Sequence, residues 1–164
     1  MNTTESVQKF WEEFCAKNSD VNRDEPYQVW YFGITSEMEK ELTALVLQGK
    51  KYATASLVWE YEDKPEDAPV VGGYSVVTDF EGNPKCVVRT TELRVLPFNE
   101  VDAQFAFDEG EGDQSLDFWR RVHWYCFSEI CPALGKEPSQ TMLVNCERFE
   151  LLFPSKTTSK NPAG

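Results

Sequence analysis

The chain has 164 residues, 41% hydrophobic and 13% aromatic, which is enough apolar material for one domain with a packed core and too little length for two. A formal net charge of −12 repels phosphodiester backbones, so a long nucleic-acid footprint would need a local basic groove set against the rest of the surface. No run of eighteen apolar residues occurs, Met1 is followed by polar residues, and the five cysteines are odd in number without a C-x-x-C pair; the expectation is a cytoplasmic protein with reduced thiols, no export signal and no membrane partner.

The first predicted element is a helix capped by Thr4 or Ser6 and ending near Asn18, because Val7, Phe10, Trp11 and Phe14 form one apolar stripe at helical spacing. A polar loop leads to Pro26, and residues 27–34 are aromatic and partly alternating, as in a strand. Ser36 is placed to cap a second helix over residues 37–48, with Met38, Leu42, Leu45 and Val46 facing inward and Gly49 as its stop. From Val70 the pattern becomes β: residues 74–79 and 85–96 read as two strands joined by the turn residues Glu81, Gly82, Asn83 and Pro84. Pro97 ends the second strand, and residues 99–106 read as a short helix or turn. An acidic loop then feeds a helix over residues 115–131, and a last strand over residues 142–153 precedes a polar tail.

Two stretches carry chemistry. In the acidic loop five carboxylates (Asp108, Glu109, Glu111, Asp113, Asp117) lie within ten residues, with Gly110 and Gly112 between them, and Asp113 or Ser115 stands where the next helix needs a cap. Carboxylates facing a helix dipole explain such a run without any function. The combination with Arg120, Arg121 and the only histidine, His123, makes it a candidate site. The other stretch, Gly49-Lys50-Lys51-Tyr52-Ala53-Thr54-Ala55-Ser56, leaves a helix through a glycine. Extended backbone would put Lys51 and Thr54 on opposite faces, whereas a bend at Tyr52 and Ala53 would bring them together. Lysines complementing the negative end of the helix account for the charge equally well. One histidine and no paired ligand spacing argue against zinc, and no cofactor is implied.

The G-x-K-x-x-T-x-S pattern (Gly49, Lys51, Thr54, Ser56), followed by E-G-E-G-D-x-S-x-x-x-W-R-x-x-H from Glu109 to His123, closely resembles the ASCH domain family. The likeness runs from about Tyr27 to Phe153 and includes Leu96-Pro97-Phe98 and Cys146-Glu147-Arg148-Phe149. It implies an α+β, PUA-like fold: a small mixed β-barrel flanked by helices, with a cleft between them and here an extra N-terminal helix. Residues 1–26 would be that helix and its loop packed on the domain, 27–153 the ASCH domain, and 154–164 a flexible tail.

The resemblance also implies a cleft for a nucleoside or an RNA-derived ligand, so the expected partner is a small-molecule nucleoside or single-stranded RNA. In members that resemble N4-acetylcytidine amidohydrolases, the matching catalytic positions are Lys51, Thr54 and Glu111, with Glu109 as an alternative to Glu111. Amide hydrolysis needs a nucleophile, a base and oxyanion donors. The corresponding expectation is that Thr54 attacks, Lys51 with a lowered pKa acts as base, and Glu111 orients or protonates the leaving amine; a carboxylate beside Lys51 would raise that pKa instead. A ribonuclease or RNA-binding protein would instead use Lys50, Lys51, Arg120 and Arg121 on phosphates, Tyr52, Trp59, Tyr61 and Trp119 for stacking, and His123 or Lys51 as acid or base. Only that reading calls for a divalent metal ion, held by the acidic loop. A third reading is a non-catalytic small-ligand module in which Glu111 and Asp113 accept hydrogen bonds and Thr54 or Ser56 donates. Ser56, Glu109, Asp113, Ser115, Arg120 and His123 make up the candidate binding set.

Overall fold

The computed structural model describes residues 4–154, so the tail expected after Pro154 lies outside the described residues. Helix α1, Glu5–Lys17, is capped by Thr4, whose hydroxyl accepts from Val7 N. Its buried residues Val7, Trp11, Phe14 and Cys15 pack on Val76 and Val87 of the sheet, with Tyr27, Tyr74 and Phe153 closing around them. Trp11 stacks on Tyr27 at 4.5 Å between ring centroids. The N-terminal helix is thereby part of the sheet's hydrophobic cover.

Strand β1, Tyr27–Trp30, is shorter than the aromatic run predicts. Helix α2, Ser36–Leu47, takes Thr35 as its cap in place of Ser36. Its inward face is also rotated relative to the expected stripe: Glu39, Thr43 and Val46 are the buried residues. Thr43 Oγ1 donates to Glu39 Oε2 at 2.8 Å, which lets two polar side chains enter a face the hydrophobic pattern assigns to Met38, Leu42 and Leu45.

Strand β2, Ala53–Leu57, follows directly. Strands β3, Tyr74–Thr78, and β4, Pro84–Pro97, form the expected hairpin, its turn held by Asp79 Oδ1, which accepts from the backbone N–H of Glu81 and Asn83. Helix α3, Ala103–Glu109, is capped by Asp102 and absorbs the first two carboxylates of the predicted acidic loop. Helix α4, Leu116–Leu134, is capped by Ser115, extends beyond the predicted end to Gly135, and is followed by β5, Leu143–Phe153.

The strands make one mixed sheet in the order β1-β3-β4-β5-β2. β1 runs parallel to β3, and the other three pairings are antiparallel. β1 and β2 are the edges of this sheet and do not pair with each other among the described residues, so the architecture is an α+β mixed five-stranded sheet with four helices. Long β4 is bulged against β5 near Val87 and again between Thr90 and Glu92, which bends the sheet and re-aims its side chains. One core cluster joins α3 and α4 to the sheet through Phe98, Phe105, Trp119, Phe127, Val144 and Cys146; another lies under α2 around Phe32, Val46 and Phe149. All five cysteines are buried and unpaired. No helix among the described residues is long and apolar enough to cross a membrane.

Candidate functional site

The two chemistry-bearing stretches meet because the chain has no side chain at Gly110. Its φ is +72°, and a Cβ there would lie 2.5 Å from the Lys50 carbonyl oxygen and 3.0 Å from Lys51 Cα. Gly112, at φ +56°, is crowded in the same way, since a Cβ added there would collide with the Phe118 ring. The Lys51 backbone leaves α2 through a bond from its N–H to Leu45 O, and the Tyr52 N–H bonds to Asp108 O. The end of α2 and the end of α3 are therefore stitched backbone to backbone.

This brings Lys51, only 2% exposed, among acceptors. Its Nζ donates to Glu109 Oε1 at 2.7 Å, Glu111 Oε2 at 2.8 Å and Ala53 O at 2.8 Å. The three protons of an ammonium are thus all placed. Burial alone would lower the Lys51 pKa, but the charges of Glu109 and Glu111 and their hydrogen bonds more than reverse that and raise it. Lys51 is consequently a fixed cation, and the expected role of an amine base is not what its surroundings favour.

Glu109 is buried and fully engaged. Its Oε2 accepts from Trp119 Nε1 at 2.7 Å and faces His123 Nε2 at 3.3 Å, while His123 Nδ1 lies 2.9 Å from Trp119 O. Both imidazole nitrogens thus look at acceptors. Burial disfavours a charged histidine, yet the Glu109 carboxylate prevails and the His123 pKa is raised. Burial likewise pushes Glu109 up, but Lys51 and then His123 pull it well below the usual carboxylate range. Glu111 goes the other way: burial raises it, Lys51 only partly offsets this, and Glu109 beside it adds to the rise through its charge and a hydrogen bond. Two neighbouring carboxyls are thereby driven apart, one held ionised and the other disposed to take a proton.

Oxygen and nitrogen atoms of Glu109, Glu111 and His123 also lie within 4.8 Å of one another, a spacing compatible with a metal ion. The Lys51 ammonium lies within hydrogen-bond distance of both carboxylates, so the position where a cation would neutralise them is already taken by a side chain.

Lys51, Glu109, Glu111 and His123 form one wall of a cavity of about 720 Å³. Thr54 and Ser56 on β2 line it too, with Glu60 and Tyr61 of the following 3-10 turn, Thr90 of β4 and Glu147 of β5; Tyr27, Trp30 and Tyr74 supply aromatic surface. Thr54 Oγ1 makes no hydrogen bond among the described residues. Lys51 and Thr54 do reach the same cavity, although β2 is extended from Ala53: the bend lies before the strand, and the lysine side chain folds back onto Ala53 O.

Other predicted residues lie elsewhere. Asp113 is exposed and accepts from Ser115 N, Ser115 caps α4, and exposed Arg120 donates to Asn99 O; none of them lines the cavity. Lys50 and Arg121 are also outside it. Trp119 is 2% exposed, so it braces Glu109 and cannot serve as a stacking surface. Tyr52 is exposed but outside the cavity, with its hydroxyl donated to Asp108 Oδ1. Glu60, Thr90 and Glu147 belong to neither motif, and sequence reasoning misses them as site residues. Glu147 carries a readable signal, a carboxylate at an inward position of an apolar strand.

A mixed sheet with helices around a cavity, in which a helix-terminal lysine meets an acidic glycine loop, agrees with the architecture that the sequence resemblance implies, short of a closed barrel. The chain belongs to the ASCH domain family, whose model matches residues 28–153. It is similar to the crystal structure of an ASCH domain from Lactobacillus crispatus JV V101, with 33% identity over 93% of this chain and 97% of that one and a TM-score of 0.81. It is also similar to protein EF3133 from Enterococcus faecalis V583, assigned to the DUF984 family model, with 33% identity over 90% and 88% of the two chains and a TM-score of 0.78. A search of curated proteins finds no match.

Proposed function

We propose that the cavity hydrolyses the exocyclic amide of an N-acylated cytosine nucleoside, N4-acetylcytidine being the simplest case. The observation that carries this reading is the divergent carboxyl pair on one buried ammonium: Glu109 is held ionised, whereas Glu111 has a raised pKa at the cavity wall. A carboxyl with its pKa raised in this way and facing a cavity is suited to general acid-base work. Glu111 takes a proton from a water molecule as the water oxygen bonds to the acyl carbon. It returns that proton to the leaving nitrogen as the carbon–nitrogen bond breaks, giving the free acid and the amino nucleoside. Thr54 hydroxyl donates to the carbonyl oxygen as it becomes negative. Attack by water is preferred to attack by Thr54 because Lys51 has no free lone pair with which to activate the hydroxyl.

The placement of cations supports a small ligand over an RNA strand, since Lys50, Arg120 and Arg121 do not line the cavity and its other charged side chains are mainly carboxylates. Acetate release from N4-acetylcytidine, followed in wild type and Glu111→Gln, tests the proposal. Release that is slowed strongly in the variant is expected, and undiminished release in the variant sinks it.

A further inference from the structure

Beside the Lys51 cluster the cavity is lined by a second polar group that the hydrolytic step does not use. On β5, Val144 and Cys146 join the core with α4, while Asn145 and Glu147 point to the other face. In the β2–β5 ladder Thr54 lies directly opposite Glu147 and Ser56 opposite Asn145, so their side chains share that face. Asn145 Nδ2 donates to Ser56 Oγ at 3.3 Å and does not line the cavity, whereas Glu147 does. The bulge between Thr90 and Glu92 sits where the Thr90 hydroxyl reaches across to Glu147 Oε2. Glu147 is 7% exposed, and its other oxygen has no partner among the described residues. No arginine or lysine forms an ion pair with it there. A carboxyl held so deep, fixed by one hydroxyl and otherwise unpaired, is costly unless something in the cavity completes it.

We propose that Glu147, held by Thr90, reads the ligand: its carboxyl pairs side by side with an adjacent ring-nitrogen acceptor and amino N–H donor, the edge that cytosine presents at N3 and N4. Burial raises the Glu147 pKa, only partly offset by the Thr90 hydrogen bond and by Lys51, and a ring-nitrogen acceptor seated against the carboxyl would favour the carboxylic acid form further. A carboxylic acid offers one O–H donor beside one acceptor oxygen, the complement of that edge. An amide formed on the amino group leaves one N–H, so substrate and product share the contact. Glutamine also offers a donor beside an acceptor, and alanine offers neither.

This deepens the amide-hydrolysis reading by naming what the cavity recognises, and it is tested without turnover. Cytidine, which has no amide to cleave, is titrated calorimetrically into wild type, Glu147→Gln and Glu147→Ala, with thermal unfolding of each as a check on folding. Binding to wild type, retained within a few-fold by the glutamine variant and weakened about tenfold to a hundredfold by the alanine variant, is expected, the size of loss that follows from leaving a buried pair of hydrogen bonds unmade. Cytidine that does not bind wild type, or that binds all three proteins alike, overturns the inference. If Glu147→Ala fails to fold, Thr90→Val serves in its place, since removing the hydroxyl that fixes Glu147 must then weaken binding. Glu147-dependent binding with no acetate release would sink the hydrolytic reading and leave this one standing, and the reverse result would do the opposite.

Discussion

The two walls of the cavity are built on opposite principles. Around Lys51 every strong donor has its acceptor: three for the ammonium, Glu109 for the Trp119 indole, and a carboxylate and a carbonyl for the two nitrogens of His123. On the β2–β5 wall Thr54 is unpaired among the described residues and Glu147 is half paired. A buried network that is complete fixes a geometry, and a group with bonding capacity to spare is free to meet a ligand. Glu111 belongs to both, since it holds Lys51 through one oxygen and also lines the cavity. The residues that look most like an active site in the sequence are thus largely its frame.

The sharpest way to break that contrast is to remove the cation. Lys51→Met leaves two buried carboxyls without their counter-charge and is expected to cost about 3–5 kcal/mol of stability, as when one partner of a buried ion pair is deleted. Denaturant unfolding would show it, and an unchanged midpoint would mean the network is not a frame. Glu111→Gln should behave differently: the amide oxygen can still accept from Lys51 and Glu109 remains as counter-charge, so a smaller loss of stability than in Lys51→Met is expected, with acetate release slowed by roughly 10² to 10⁴, the usual range for a lost acid-base group.

Gly110→Ala probes how the Lys51 network is assembled, since this glycine lets the acidic loop approach the Lys50–Lys51 backbone. Its Cβ would collide with the backbone of Lys50 at a positive φ, and a loss of about 1–3 kcal/mol is expected by thermal unfolding, with a larger effect than the same change at Gly82, where the added atom meets nothing within 4 Å. The smallest effect is the pH dependence carried by His123. Because its folded pKa is raised, its contribution is complete below the ordinary value of 6.5 and fades as the pH rises through the folded value. Glu109, lowered, contributes fully above 4.5 and loses its contribution as the pH falls through its folded value. The stability difference between wild type and His123→Gln should therefore shrink with rising pH; a difference that does not change with pH would show that the imidazole is not charged in the folded protein.

Much of this was legible in the residues. Helical stripes located α1 and α4, turn chemistry gave the β3–β4 hairpin, and the two motifs named Lys51, Glu109 and Glu111. The parallel pairing of β1 with β3 was not legible, since a four-residue strand carries no mark of its neighbour or its direction. Thr35 and Ser36 are both good caps, and only the backbone conformation selects Thr35. The state of Lys51 depended on distances to residues up to 60 positions away in the chain, which spacing within its own motif does not contain. Glu147 stands out as a carboxylate at an inward strand position, but its role was not legible, because such a pattern marks which residues turn inward without telling a core from a cavity.

An ammonium whose three protons are all engaged has one further property. It has no lone pair, so the amine nearest the cavity cannot capture an acyl group, whether from a ligand or from a reactive ester in solution. Exposed Lys50, its immediate neighbour, has no such protection. Under amine-reactive labelling the two lysines of one dipeptide should divide cleanly, Lys50 modified and Lys51 spared until the chain unfolds.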